Sequence, residues 1–290
     1  MTISNSPASL PPGGTIDNVT LVTIETMYHG LAKRAMEETL ARVPFKHAMI
    51  FSDQDFLPGA KHVKIEHGNM ESYCNLLLKG MLEHVETDYV IFQQWDAMVH
   101  DGSKWRDYFL LNDYIGAVWP WRDHGQNVGN GGFSLRSRRL LEALQAPHIQ
   151  LDPNDPEHGI QEDNYIAIKH RPELEAKGIV FALAPVANQF SIELAPEGYG
   201  AMAHHGLWNV VQFMPKDVVD YFILNCPDNT WNEVHRAHHT AVTLAGIGYL
   251  DLLETQAKRI ISSPVYDELI EWMSGDEFPN KESALALLKK

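Results

Sequence analysis

"YVIFQQWDAMVHDG", Tyr89 to Gly102, decides how the chain is read. Residues 89–92 predict a buried strand, and the next four deliver Gln-Gln-Trp-Asp into a loop. A carboxylate at that point either solvates a turn or is held out to a ligand or metal at the strand's end. The neighbouring segments set the frame. "NVTLVTIET" (18–26) and "KHAMIFSD" (46–53) are rich in strand-forming residues, and "HVKIEH" (62–67) predicts a third, short strand. Between them, "YHGLAKRAMEETLARV" (28–43) and "MESYCNLLLKGMLEHV" (70–85) carry apolar residues at helical spacing. Strands alternating with helices predict an α/β domain with a parallel sheet covered on both faces.

Beyond residue 100 the pattern changes. "DYIGAVW" (113–119) predicts a strand, followed by a Trp- and Gly-rich loop, a second strand around 133–135 and a helix. "GIQEDNYIAIKH" (159–170) predicts a helix entered through Glu162 and Asp163, "GIVFALAPV" (178–186) another strand, and 189–208 an irregular segment. From about Met214 onward the pattern is helical. The expected organisation is a flexible tail over 1–17, a domain over 18–213 and a helical appendage over 214–290.

With 290 residues and 44% hydrophobic composition, the chain has enough apolar surface for a sizeable core. A formal net charge of -15 argues against a non-specific nucleic-acid grip or an anionic membrane surface. Two cysteines, Cys74 and Cys226, offer neither a disulfide framework nor a zinc spacing. No apolar run approaches the roughly 20 residues of a membrane helix, and the first residues lack the basic and apolar regions of a signal peptide. The expectation is a cytoplasmic protein with no membrane span.

In open α/β sheets ligands bind beyond the carboxyl ends of the parallel strands. That rule lines up Thr23 and Glu25, Ser52 and Asp53, and Gln94 and Asp96 on one rim. Asn130 is bracketed by Gly129, Gly131 and Gly132, which lets backbone approach a ligand closely. With Arg136, Arg138 and Arg139 following, the segment has the composition of a ligand-facing wall, although it is neither a G-x-G-x-x-G nor a P-loop. Trp119 and Trp121 are candidates for stacking on a sugar, or for plain packing. Glu162 and Asp163 either satisfy a helix dipole or supply a general base. His204 and His205 are structural, or one of them completes a cation site. His235, His238 and His239 lack the Glu of a zinc-protease helix and are expected on a solvated face.

Together "VIFQQWD", "DYIGAVW", "VGNGGFSLRSRRLLEAL", "QEDNYIAI", "NQFSIE" and "HHGLW" resemble, in that order, a family of largely uncharacterised bacterial and fungal proteins similar to glycosyltransferases of the GT-A fold. The resemblance runs from about residue 18 to 208 and leaves the helical tail uncovered. It implies a GT-A-like, Rossmann-type mixed sheet flanked by helices. It implies transfer of a sugar from a UDP- or GDP-sugar to an acceptor hydroxyl, a glycan or small glycoside being favoured. A divalent cation, Mn²⁺ or Mg²⁺, would bridge the donor diphosphate through Asp96, the last position of an Asp-x-Asp pattern that reads Gln94-Trp95-Asp96 here. His205 would complete the cation site. Asn130, Gly131 and Gly132 would face donor and acceptor, with Gln94, Trp95, Thr23, Glu25, Asn75 and Lys79 on the nucleotide side and Trp119 and Trp121 on the acceptor side. Asp163 would deprotonate the acceptor and Glu162 would orient it; such a base goes with an inverting transfer, the alternative being a retaining one that would not need it. The loss of the first acid favours a second reading, a non-catalytic nucleotide-sugar- or carbohydrate-binding protein. A metal-dependent nucleotidyltransferase or phosphohydrolase is a third, but such chemistry wants more carboxylates around the metal.

Overall fold

The structure is a computed structural model and describes residues 15–122 and 125–289. Most of the expected N-terminal tail therefore lies outside the described residues, while Ile16 and Asp17 already belong to the first strand. The chain divides into two compact units between His205 and Gly206.

The first unit is built on a six-stranded mixed sheet. Its elements begin with β1 (Ile16–Ile24), α1 (His29–Arg42), β2 (Phe45–Ser52), β3 (Lys61–Lys64), α2 (Met70–Asn75), β4 (Tyr89–Gln93) and β5 (Ala97–Val99). There follow β6 (Tyr114–Val118), β7 (Val128–Ser137), α3 (Arg138–Ala143), α4 (Glu162–Asn164), α5 (Arg171–Ala176), α6 (Ala184–Phe190), β8 (Ser191–Ile192) and β9 (Ala203–His205). The strand order is β3-β2-β1-β4-β7-β6. The first four strands run parallel, and β7 and β6 are added antiparallel. The expected mixed α/β architecture is thus present.

Residues 19–24 of β1 are all buried, as a central strand covered on both faces requires. One face packs Val19, Leu21, Ile50, Ile91 and Phe133 with Met36 of α1. The other packs Val22, Phe51, Val90 and Phe92 with Leu77 and Met81 after α2. A third cluster joins Tyr114, Leu140, Ile149, Tyr165 and Phe181.

Three segments depart from expectation. The glycine run is not a loop: β7 is a buried ten-residue strand from Val128 onward, because partners on both sides satisfy its backbone. "GIVFALAPV" makes only a single bridge, Tyr114 to Phe181, before α6 begins with Pro185 in its first turn, a position that proline's fixed φ suits. And α2, capped by Asn69, widens at Leu76–Gly80 into a π turn. The Leu77 carbonyl there accepts from Arg136 Nη1 at 3.3 Å. A second π turn, Tyr165–Lys169, follows α4.

The second unit is helical and begins at Gly206, ahead of the boundary at 214 expected from the sequence: α7 (Leu207–Phe213), α8 (Lys216–Asn225), α9 (Val234–Ile247), α10 (Leu250–Ile261), α11 (Tyr266–Gly275) and α12 (Lys281–Leu288). Its histidines do not form a solvated face. His238 is buried with its ring near Trp272 and 2.9 Å from Asp276, and His235 sits edge-on to Trp272. No described helix is long and apolar enough to cross a membrane.

One buried carboxylate fixes the end of the β6–β7 pair. Asp113 accepts from the Ser137 hydroxyl at 2.5 Å and the Val180 N–H at 2.7 Å, and Arg139 closes over it. Burial alone would raise its pKa; Arg139, Ser137 and Val180 outweigh that and hold it below the ordinary value. A depressed carboxyl stabilises above the unfolded pKa and loses that contribution as pH falls through the folded one. Arg139 is largely exposed and its share is screened by water, so the Ser137 hydroxyl and the Val180 N–H carry most of the stabilisation. Asp113→Ala is therefore expected to lower unfolding stability by about 3 kcal/mol at neutral pH in urea titrations. The deficit should shrink toward acidic pH.

Candidate functional site

The site forms where the sheet reverses direction. From β1 the chain order runs outward to β2 and β3 on one side and to β4 on the other, leaving a crevice at the carboxyl ends of β1 and β4. Because β7 is antiparallel to β4, its glycine-rich entry lies at that same rim. Gln93 pairs with Phe133, and the Gln94 N–H donates to the Gly132 carbonyl at 2.9 Å. The small sheet β5-β9-β8 completes the rim: Ala97 pairs with His205, which brings the imidazole against Asp96.

Four side chains meet there. His205 Nε2 lies 3.5 Å from Asp96 Oδ1 and 2.9 Å from Gln94 Oε1, while Nδ1 lies 3.3 Å from Glu193 Oε1. Glu193 in turn accepts from Asn130 Nδ2 at 2.9 Å, and Gln94 Nε2 donates to the Tyr73 hydroxyl at 3.0 Å. The His205, Asp96 and Glu193 side chains are only 14, 13 and 12% exposed, so their charges act with little screening by water. Burial would lower the pKa of His205, but Asp96 and Glu193 raise it to about 10. A side chain at position 132 would collide with this ring, so only glycine fits.

These donors fit a divalent cation. Two cis ligands of an octahedral ion stand about 3 Å apart, which the Asp96–His205 separation approaches. Gln94 Oε1 is a second oxygen on that side of the ring, and the third donor. The carboxylate on Nδ1 is the partner that a metal-binding imidazole ordinarily has on its far nitrogen. A cation would take the place of the proton on Nε2.

On the other side of Gly131 lie the paired acids. The Gly131 N–H donates to Asp163 Oδ2 at 3.0 Å, and the Asn164 N–H donates to Asp163 Oδ1 at 2.8 Å. Burial and the neighbouring Glu162 charge push the Asp163 carboxyl up to about 7, against the pull of those two N–H groups and Arg136. Glu162 is buried and bound to Arg136 Nη2 at 2.7 Å, with Arg136 itself fully buried. A Cβ at position 131 would stand 2.7 Å from Glu162 Oε1, so the backbone here touches both acids.

Asp96, His205, Gln94, Asn130, Gly131, Gly132, Glu162 and Asp163 are thus brought together. The arginines are not a ligand-facing wall: Arg136 neutralises Glu162, Arg138 bonds the Val85 carbonyl and Arg139 closes on Asp113. Thr23 donates to the Gln93 carbonyl at 2.8 Å, at the β1–β4 crevice. Glu25 accepts from the Met27 and Tyr28 N–H groups, and Trp95 packs edge-on to Tyr28. Asn75 is half-buried at the end of α2. Lys79 is turned to the carbonyls of Leu144 and Ala146, an anchoring position for its ammonium. Trp119 is buried over Gly129, with Arg122 against its ring, whereas Trp121 is 64% exposed. Asp53 pairs with His29 at 2.6 Å. Glu193 is the site residue that sequence reasoning missed. The signal available for it was a single acid directly after the apolar Phe190-Ser-Ile192 stretch.

A cavity of about 550 Å³ opens at the other end of the sheet, lined by Asp17, Thr20, Lys46, Lys61, His84 and Asp88. It holds none of the site residues. The titratable groups described above converge instead at the carboxyl rim.

A mixed α/β domain with titratable groups gathered at its topological switch point is the class this unit defines. The chain belongs to the family described as protein of unknown function, DUF5672, whose profile matches residues 62–207. No curated protein matches the sequence. Among solved structures it is similar to a glycosyltransferase involved in glycosylation of the major capsid of PBCV-1, with 12% identity, 64% of this chain and 91% of that one covered, and a TM-score of 0.41. It is similar to the bifunctional IspDF of Campylobacter jejuni, with 12% identity, 57% and 49% covered, and a TM-score of 0.35. It is also similar to the mannosyltransferase PcManGT of Pyrobaculum calidifontis, solved with GDP-Man and Mn²⁺, with 10% identity, 97% and 81% covered, and a TM-score of 0.40.

The buried pair Arg136–Glu162 makes a sharp stability prediction. Arg136→Met leaves Glu162 buried without its cation and should cost about 3–5 kcal/mol in urea unfolding. Arg136→Met combined with Glu162→Leu should recover most of that loss, because no buried charge is then left over.

Proposed function

We propose that this protein is a glycosyltransferase that moves a sugar from a nucleoside-diphosphate sugar to an acceptor hydroxyl, with a divalent cation and inversion at the transferred carbon. The observation that carries this reading is the arrangement about Gly131 and Gly132: an acid–imidazole pair on one side and an acid of raised pKa on the other. The two poles suit the two halves of a single displacement.

Asp96, His205 and Gln94 would hold the cation, Mn²⁺ or Mg²⁺, whose chemistry is to neutralise charge growing on the leaving diphosphate. Glu193 keeps the imidazole oriented, and Asn130 keeps Glu193 in place. Asp163 takes the acceptor proton at its carboxylate; a pKa near 7 suits a base working near neutral pH. Glu162, neutralised by Arg136, acts by raising Asp163 and shaping the wall rather than by touching the acceptor. Glycine at 131 and 132 lets Glu162 and His205 pack directly against the strand, which holds the two poles close together. Trp95 stands at the β1–β4 crevice where the nucleotide would lie, while the buried Thr23 ties β1 to the Gln93 carbonyl. The exposed Trp121 offers an indole face to a glycan acceptor.

Gln94 in place of an acid also supports a second reading, a binding protein that retains the donor pocket without turnover. A donor screen separates the two. Purified protein with a panel of UDP- and GDP-sugars, with and without Mn²⁺, should release nucleoside diphosphate from one donor only with the cation. Asp96→Ala should reduce that release by about a hundredfold or more, on the scale of removing a main electrostatic stabiliser. A thermal shift with a donor but no release would favour the binding protein. Neither shift nor release would overturn both readings.

Asp163 gives an independent check. A base of pKa about 7 predicts that kcat/KM rises about tenfold per pH unit below neutrality and levels off above it. For stability the sign is opposite: a carboxyl raised in the folded state stabilises below its unfolded pKa, and that contribution is lost as pH rises through the folded one. Asp163→Asn should therefore abolish the pH-dependent limb of turnover while unfolding at a higher temperature than the parent protein at pH 8. An unchanged pH profile in Asp163→Asn would assign the base elsewhere.

A further inference from the structure

Away from the carboxyl rim, three side chains converge at the edge of the first unit. His148 lies in the turn after α3, anchored by the fully buried Ile149. His170 joins the second π turn to α5, and Glu173 stands in the first turn of α5. One ligand atom from each lies within 4.8 Å of the others. Glu173 Oε2 is the shared centre, 2.7 Å from His148 Nε2 and 3.7 Å from His170 Nδ1. The other oxygen, Oε1, is taken by Lys177, so Oε2 alone is directed at both rings.

The His170 ring sets this cluster apart from a surface His–Glu pair. Its side chain is 11% exposed and packs against Tyr165, while its backbone N–H donates to the Tyr165 carbonyl at 2.9 Å. Yet among the described residues neither ring nitrogen makes a hydrogen bond: Nε2 is buried without a partner and Nδ1 stops short of Glu173. Nδ1 is the ring nitrogen that faces Glu173, and a cation at the centre of the cluster would give it a partner.

We propose that His148, His170 and Glu173 form a binding site for a zinc-class divalent cation, separate from the cation site at Asp96. Two imidazoles and one carboxylate are a zinc donor set, with water in the fourth position. Tetrahedral bonds of zinc length put ligand atoms about 3.4 Å apart, between the two separations present here, so small side-chain rotations complete the geometry. The exposed side of His148 leaves the fourth position open to solvent. Bound there, the ion ties the turn after α3 to the start of α5, next to the π turn that follows Glu162 and Asp163.

The test is Zn²⁺ titration of the full chain by calorimetry, run in the parent protein and in Asp96→Ala, with thermal unfolding alongside. One Zn²⁺ per chain should still bind in Asp96→Ala and raise its melting temperature. Co²⁺ in its place should give the visible absorption of a four-coordinate site. His148→Ala, at a largely exposed position that does not threaten folding, and Glu173→Gln should each weaken binding about tenfold or more and abolish the Co²⁺ spectrum. Absence of Zn²⁺ binding in Asp96→Ala, or binding that His148→Ala leaves unchanged, would overturn the proposal.

Discussion

The pairing of β7 with β4 is the constraint on which the rest of the site depends. A parallel strand next to β4 would present its carboxyl end at the rim and carry its entry to the far side of the sheet. The antiparallel register, Gln93 against Phe133, instead delivers Asn130, Gly131 and Gly132 to the carboxyl ends of β1 and β4. The strand then continues inward to Arg136, which reaches the Leu77 carbonyl and Glu162. One ladder therefore sets both the floor of the crevice and the charge partner beneath it. The missing side chains at 131 and 132 then allow His205 and the paired acids to close on that floor from opposite sides.

Charge is arranged asymmetrically about this floor. On one side two carboxylates share a single imidazole, and the imidazole is held protonated. On the other, Arg136 offsets Glu162, and the second acid, Asp163, meets burial and a like charge together. The same element, β7, contributes to both outcomes, through Asn130 on Glu193 and Arg136 on Glu162. Burial and a like charge thus raise the proton affinity of Asp163, the condition under which a carboxyl can exchange a proton near neutral pH.

The strands and helices up to Gln93 were legible because local pattern and tertiary environment agree there: continuous apolar runs for buried strands, helical spacing between them. Asp96 and the acids at 162 and 163 were legible because each stands at an element boundary. The glycine run was legible as a place of close approach but not as a strand. Its propensity is low, and only pairing on two sides makes it regular. The arginines misled for a related reason, since sequence alone does not tell a buried partner from a solvent-facing one. Glu193 and β9 were invisible: each depends on a pairing between segments about a hundred residues apart, Ala97–Val99 with Ala203–His205.

The place of Gln94 follows from that long-range pairing. In the Asp-x-Asp pattern implied by the sequence resemblance, position 94 would carry a second negative charge beside Asp96. Here Glu193 already stands on the far nitrogen of His205, and the cluster holds two carboxylates around one imidazole. A third, in contact with the same ring and with the Tyr73 hydroxyl, would add like-charge repulsion in a poorly solvated cleft. A neutral amide avoids this and still makes both contacts, its NH₂ donating to Tyr73 and its carbonyl oxygen facing His205. The cluster about His205 thus holds two carboxylates, Asp96 and Glu193, on opposite nitrogens of one ring, with the neutral Gln94 amide between the ring and Tyr73.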